Sequence, residues 1–161
     1  MQEDIVYQEK VKSNPLILAF LGLSVIGILV VGLILYFSQN GAIEKNVLPT
    51  VAIVLFVDVL LLLVFTQMQI VVTEKKLQFG FLFFRKKIKI NEIVKLEVSE
   101  YKFSNYFGYG IRFGRDNTIG YVPSGGRGIK VTSENDKRAY FFICTQPEQV
   151  LAILKQYGAK K

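Results

Sequence analysis

The side chain best placed to do chemistry is Asp58, a carboxylate inside the apolar run from Val47 to Phe65. Ionisable groups in such a setting are rare and face protein or a water-filled cavity, where they handle protons or ions. Transport paths usually draw on more than one polar group per span. Neither apolar run of this chain holds a second carboxylate, Lys or Arg. The competing expectation is structural. Counting outward from the connecting turn puts Ser24 at a similar depth in the earlier run, with Gly27 allowing close approach. Asp58 is then expected to hydrogen-bond to Ser24 or to a second subunit, and this structural role is favoured.

Other chemistry is poorly supplied. Histidine is absent, which removes the commonest general base and metal ligand at neutral pH. The single Cys144 excludes an intramolecular disulfide, and its alternating surroundings suggest an inert buried thiol. No nucleophile with an activating base and no paired acidic motif is visible, so no catalytic residue, metal site or cofactor is expected. Ser124-Gly125-Gly126-Arg127-Gly128 offers backbone N–H groups to a phosphate. It lacks the strand–loop–helix setting and the Gly-Lys-Ser/Thr ending of such loops, so a β-turn is expected there.

Two stretches point instead to binding. Phe81-Leu82-Phe83-Phe84-Arg85-Lys86-Lys87 is expected at a hairpin tip, with aromatic rings beside cations. Rings can enter a headgroup layer while each cation contributes about 1 kcal/mol near anionic lipid. Phe81, Phe83, Phe84, Arg85, Lys86 and Lys87 are thus candidates for membrane contact, weighed equally against core phenylalanines and a solvated basic face. The second stretch holds Tyr101, Phe103 and Tyr106, followed by Phe107, Tyr109 and Tyr121. The first three are candidates for partner binding, although filling a barrel interior is the preferred reading.

The elements that must position these residues follow from hydropathy. Leu16 to Phe37 and Val47 to Phe65 each have the length, about 20 residues, of a helix crossing roughly 30 Å of hydrocarbon. Each Leu, Ile, Val or Phe contributes about −0.3 to −0.6 kcal/mol to insertion, and these sums exceed the cost of Asp58. Spans at about 16–37 and 47–66 are expected, antiparallel, joined by Ser38–Asn46 with Asn40-Gly41 as its turn. The first run is too long for a cleaved signal core. Lys10 and Lys12 precede the spans, and Lys75, Lys76, Arg85, Lys86 and Lys87 follow them. Both termini should therefore be cytoplasmic, with 1–14 a cytoplasmic N-terminal segment.

From Gln69 the pattern changes to short β-branched and aromatic stretches: 69–73, 76–80, 86–90, 110–115, 118–122, 128–132 and 140–144. About seven antiparallel strands should form a sandwich or barrel over residues 67–161. One amphipathic helix closes the chain, carrying Val150, Leu151, Ile153, Leu154 and Tyr157 on one face. Thr145-Gln146-Pro147-Glu148 reads as its capping box. The segment from Gln69 onward holds roughly twice as many basic as acidic residues.

These residues also carry a resemblance. Ile70-Val71-Val72-Thr73-Glu74-Lys75-Lys76-Leu77 resembles the opening strand, turn and second strand of bacterial pleckstrin-homology-like domains. Ile90-Asn91-Glu92-Ile93-Val94 is similar to the segment after their third strand. Phe107-Gly108-Tyr109-Gly110-Ile111-Arg112, Ile119-Gly120-Tyr121 and Gly125-Gly126-Arg127-Gly128-Ile129 resemble their glycine-punctuated half, and Thr145–Glu148 the start of their last helix. Two membrane helices ahead of such a domain is a familiar arrangement in that family. The resemblance implies a mainly-β barrel capped by a C-terminal helix, tethered to the cell membrane and not an enzyme. The expected partners are the lipid bilayer, anionic headgroups, and a protein partner or a second copy, with no nucleic acid. The alternative is a small transporter or channel subunit using Asp58, or an accessory subunit of a larger membrane complex.

Overall fold

The computed structural model describes residues 4–38 and 47–159, and the expected Asn40-Gly41 turn lies outside them. The chain divides into two compact units, one from Pro15 to Thr66, the other joining residues up to Asn14 with those from Gln67 onward.

The first unit is a pair of helices, α1 (Pro15–Ser38) and α2 (Val47–Phe65). Pro15 and Pro49 sit in their opening turns, where a missing N–H leaves no helical hydrogen bond unmade. Large apolar side chains are exposed around both, among them Leu16, Phe20, Phe37 and Phe56. The stretch Pro15–Leu35 is long and apolar enough to cross a membrane, while Pro49–Phe65 is a shorter apolar helix. The helices pack antiparallel, because Ser24 meets Asp58 while the later Gly32 meets the earlier Val51. Gly32 is the point of close approach, where an added Cβ would lie 3.3 Å from Val51 Cγ1. Gly27, expected in that role, and Gly22 have no neighbour within 4 Å of such a Cβ.

The second unit is built from two sheets. The four-stranded sheet has the order β1 (Ile5–Lys12), β2 (Gln67–Thr73), β3 (Lys76–Phe81), β4 (Arg85–Lys89). The five-stranded sheet uses β5 (Ile93–Glu100), β6 (Gly110–Phe113), β7 (Thr118–Val122), β8 (Arg127–Ser133) and β9 (Ala139–Ile143) in the order β5-β8-β9-β7-β6. The described residues thus hold nine strands rather than seven, and β7 pairs with β9 in parallel, so the all-antiparallel expectation fails. Two strands escaped the sequence reading. In β1 the polar Glu9 occupies an inward position between Tyr7 and Val11, which interrupts the apolar alternation. In β5 the register shifts between Ile93 and Lys95, so the apolar residues fall out of step.

β1 changes the domain boundary. The N-terminal segment is a strand of the β unit, paired along β2 from Ile5↔Thr73 to Lys12↔Gln67. Both helices are therefore inserted between two neighbouring strands.

The sheets pack face to face. Phe79 of β3 stacks on Phe142 of β9 with ring centroids 4.5 Å apart and meets Tyr121 of β7 edge-on at 5.1 Å. Met68, Ile70, Val72, Leu77, Ile129 and Val131 fill the layer around them. The last helix, α4 (Pro147–Gln156), buries Val150 and Leu154 and packs against β5 and β8. The expected capping box does not form. Gln146 is the N-cap, the Thr145 N–H donates to Glu9 Oε1 at 2.9 Å, and Glu148 pairs with Arg127. A carboxylate from β1 has taken the partner that local sequence assigned to Glu148.

Candidate functional site

Between β3 and β4 the chain reverses in one turn, closed by Phe84 N–H donating to Phe81 O at 3.0 Å. Turn centres are ordinarily Gly, Pro, Asn, Asp or Ser, each with a local reason to be there. Here they are Leu82 and Phe83. Leu82 is 51% exposed, Phe83 69% and Phe84 53%. Gly80 makes so tight a reversal feasible: its φ is +140°, and a Cβ there would lie 2.2 Å from the Phe84 carbonyl oxygen. Three consecutive large apolar side chains are thus held out in water by a turn with no local preference for them. A local rule broken in this way marks a functional position more often than a defect.

The surrounding charge comes from the two outer strands of the sheet, β1 and β4. Cross-strand register places Lys10 of β1, Gln69 of β2, Gly80 of β3 and Arg85 of β4 in one row. Lys12 lies one outward position nearer the strand end, Lys87 one further away, and all four cations are exposed. Lys10 and Lys12 entered the sequence reading only through the topology rule. Nothing in local pattern shows that they join Arg85, because that adjacency needs β1 to pair with β2.

Two expected members of the site are elsewhere. Phe81 is fully buried in the layer between the sheets. Lys86 turns inward, its Nζ 2.6 Å from Asp136 Oδ1 and 4.6 Å from the centre of the Tyr140 ring. Partial burial works against its charge, yet the bonds to Asp136 and Tyr140 outweigh that and raise its pKa. Strand alternation explains both, since Phe79 and Phe81 share the inward face with Lys86 and Ile88.

The tyrosine stretch separates similarly. Tyr106, on the single turn α3 (Phe103–Tyr106), is buried and lies over the outer face of the five-stranded sheet. Its ring stacks on Phe141 at 5.5 Å and its hydroxyl shares a 2.9 Å hydrogen bond with Thr118 Oγ1. An added Cβ on Gly120 would meet that ring at 2.6 Å, so the glycine is what lets it settle on the sheet. Tyr106 is core, not a partner surface. Tyr101 is half-buried, stacked against Tyr106 and Tyr109, with its hydroxyl donating to Gly108 O. Phe103 is exposed, as are Phe107 and Phe113.

Asp58 meets Ser24, whose hydroxyl lies 2.6 Å from Asp58 Oδ2 and 2.7 Å from Leu21 O. Cys144 is buried, and that burial, with Glu9 and Glu148 nearby, pushes its thiol up to about 12. A thiol so far from ionising is a poor nucleophile at neutral pH. The Ser124–Gly126 segment is a bend between β7 and β8 that accepts the Tyr101 N–H at Gly126 O. No cluster of three or more potential metal ligands occurs among the described residues. No protein-family model, curated protein or solved structure matches this chain.

Proposed function

We propose that this chain is a membrane-anchored, non-catalytic binding module. In this reading α1 and α2 cross the cell membrane as an antiparallel pair. The β unit, of pleckstrin-homology-like type, rests on the cytoplasmic headgroups through the β3–β4 turn. The carrying observation is the register of β1 on β2. Lys12 pairs with Gln67, so the chain leaves and re-enters the β unit at one place. A crossing made by α1 must then be reversed before Gln67, and α2 is the apolar helix available to do it.

The same register supports the contact. Met68 pairs with Phe81, which puts Leu82, Phe83 and Phe84 at the end of the sheet where the chain passes to the helices. Apolar rings with Lys10, Lys12, Arg85 and Lys87 around them suit an anionic interface, and those cations also favour the cytoplasmic side. Binding rather than turnover agrees with the chemistry at hand, since Asp58 is engaged by Ser24 and Cys144 is a buried thiol.

The test uses the full chain in sealed membranes. A reporter attached at Phe83→Cys should be quenched by nitroxides in the headgroup region and stay inaccessible to impermeant reagents outside the cell. A reporter that remains water-exposed, or that is labelled from outside, refutes the proposal. A fragment beginning at Gln69 is unsuitable, because it lacks β1 and exposes the edge of β2.

A further inference from the structure

The far edge of the five-stranded sheet carries a different surface. β6 ends that sheet and pairs with β7 alone. The Gly114 N–H donates to Thr118 O at 2.8 Å, so Gly114 and Thr118 form a hydrogen-bonded pair. Antiparallel pairs alternate, which makes Arg112↔Gly120 and Gly110↔Val122 the other hydrogen-bonded pairs. The N–H and C=O groups of Ile111 and Phe113 therefore point away from β7, toward the open side.

Three guanidinium groups surround this edge. Arg112 is fixed by its Nε donating to Tyr109 O at 2.8 Å. Arg115 lies 4.4 Å over the centre of the Phe107 ring, and Arg138 5.2 Å over that of Phe113. Among the described residues none of the three pairs with a carboxylate, whereas the nearby Asp116 is held by Lys130. Phe113 is 68% exposed and offers an apolar contact beside the free backbone groups. A second copy is a poor occupant, since edge-to-edge pairing of two β6 strands would bring two arginine clusters of like charge together.

We propose that β6 accepts an extended acidic segment of a partner protein as an added strand. The partner's backbone bonds to Ile111 and Phe113 while its carboxylates meet Arg112, Arg115 and Arg138. Strand addition supplies affinity through main-chain hydrogen bonds and specificity through alternate side chains. Arginine suits the second task because its planar fork binds carboxylates bidentately.

The experiment uses the full chain in nanodiscs of zwitterionic phosphatidylcholine, with a fluorescent acetylated peptide of alternating Glu and Val as probe. Saturable binding is expected, with slowed hydrogen exchange at the Ile111 and Phe113 amides. Arg112→Glu with Arg115→Glu should weaken it by at least about tenfold, as for charge pairs across an interface. Arg112→Gln with Arg115→Gln should have a smaller effect in the same direction. Methylating the alternate probe amides that face β6 should abolish binding, and a Lys–Val peptide should not bind. Equal binding of the methylated or the Lys–Val peptide would overturn the proposal. So would unchanged exchange at the two amides, or failure of the acidic probe while anionic vesicles engage these arginines. Phe83→Ser with Phe84→Ser should leave probe binding intact, so this result stands or falls apart from the lipid contact.

Discussion

Replacing Phe83 and Phe84 by Ser removes two rings from the β3–β4 turn without touching the core, since both side chains lie outside it. Full burial of a Phe side chain is worth about 1.5–3 kcal/mol. Scaled by exposures of 69% and 53%, the pair would gain roughly 2–4 kcal/mol on leaving water. A tethered domain does not dissociate, so the quantity to follow is the ratio of docked to undocked states. At about 1.4 kcal/mol per tenfold, the double substitution should lower that ratio by about 25-fold to several hundred-fold. Arg85→Gln with Lys87→Gln should cost about 2 kcal/mol at low salt, about 1 per cation. That second loss should shrink as salt screens exposed charge, while the first should not. An environment-sensitive dye at Leu82→Cys reports the docked state in vesicles containing anionic lipid, by blue-shifted emission and quenching from nitroxide lipids. Cys144 will not compete for the dye, because its thiol is buried and held up to about 12. A dye equally quenched in the parent and the Phe83→Ser, Phe84→Ser protein would refute the reasoning. So would a parent protein whose dye never contacts lipid.

Gly120→Ala should destabilise the β unit by about 1–3 kcal/mol through overpacking, because the new Cβ meets the Tyr106 ring at 2.6 Å; denaturant unfolding with Tyr106→Phe, expected near 1 kcal/mol, separates the clash from the Thr118 hydrogen bond. Asp58→Asn should leave helix pairing nearly intact, and Ser24→Ala should cost about 0.6 kcal/mol, at most about 1.7, read by crosslinking Gly32→Cys to Val51→Cys. Partial burial opposes the charge of Asp116, yet hydrogen bonds from Lys130, Thr118 and Asn105 prevail and hold its carboxyl at about 2. A carboxyl lowered on folding adds stability above its unfolded value of about 3.9 and loses it as pH falls toward 2. Protection from hydrogen exchange in the 114–118 turn, measured against the intrinsic rate at each pH, should therefore fall between about pH 4 and pH 2, and Asp116→Asn should remove that dependence. Deleting residues 1–14 should abolish cooperative unfolding of the β unit, seen by calorimetry, because β2 loses its whole outer partner from Thr73 to Gln67.

Much of the architecture was legible where a pattern is strictly local. β7 falls at 118–122 as expected, and the other expected strands lie within one or two residues of their reading. The Ser24–Asp58 pairing was also readable, because two antiparallel helices joined by a short connection bring residues at equal distance from it to equal depth. Residues failed when their role was set by a partner distant in sequence. Glu9, a polar residue within the alternation of β1, drew no sequence reading and is the acceptor for Tyr7 and for the Thr145 N–H. Phe81 and Lys86 looked like members of the exposed cluster until pairing fixed which side of the sheet each faces. Tyr106, a partner-surface candidate for which burial was the preferred reading, is buried, but on the outer sheet face made by β7 and β9, which its own stretch does not reveal.

By itself the sequence determined that two apolar helices precede a basic, strand-rich unit closed by an amphipathic helix, since hydropathy and periodicity are properties of neighbouring residues. Tertiary structure alone decided that residues 5–12 belong to that unit, that β7 and β9 run parallel, and that β6 stands at an open edge. Strand pairing carries no signal within a single strand, because its hydrogen bonds run between backbones and are the same whatever the side chains. Register and neighbour choice emerge only when all faces are buried together.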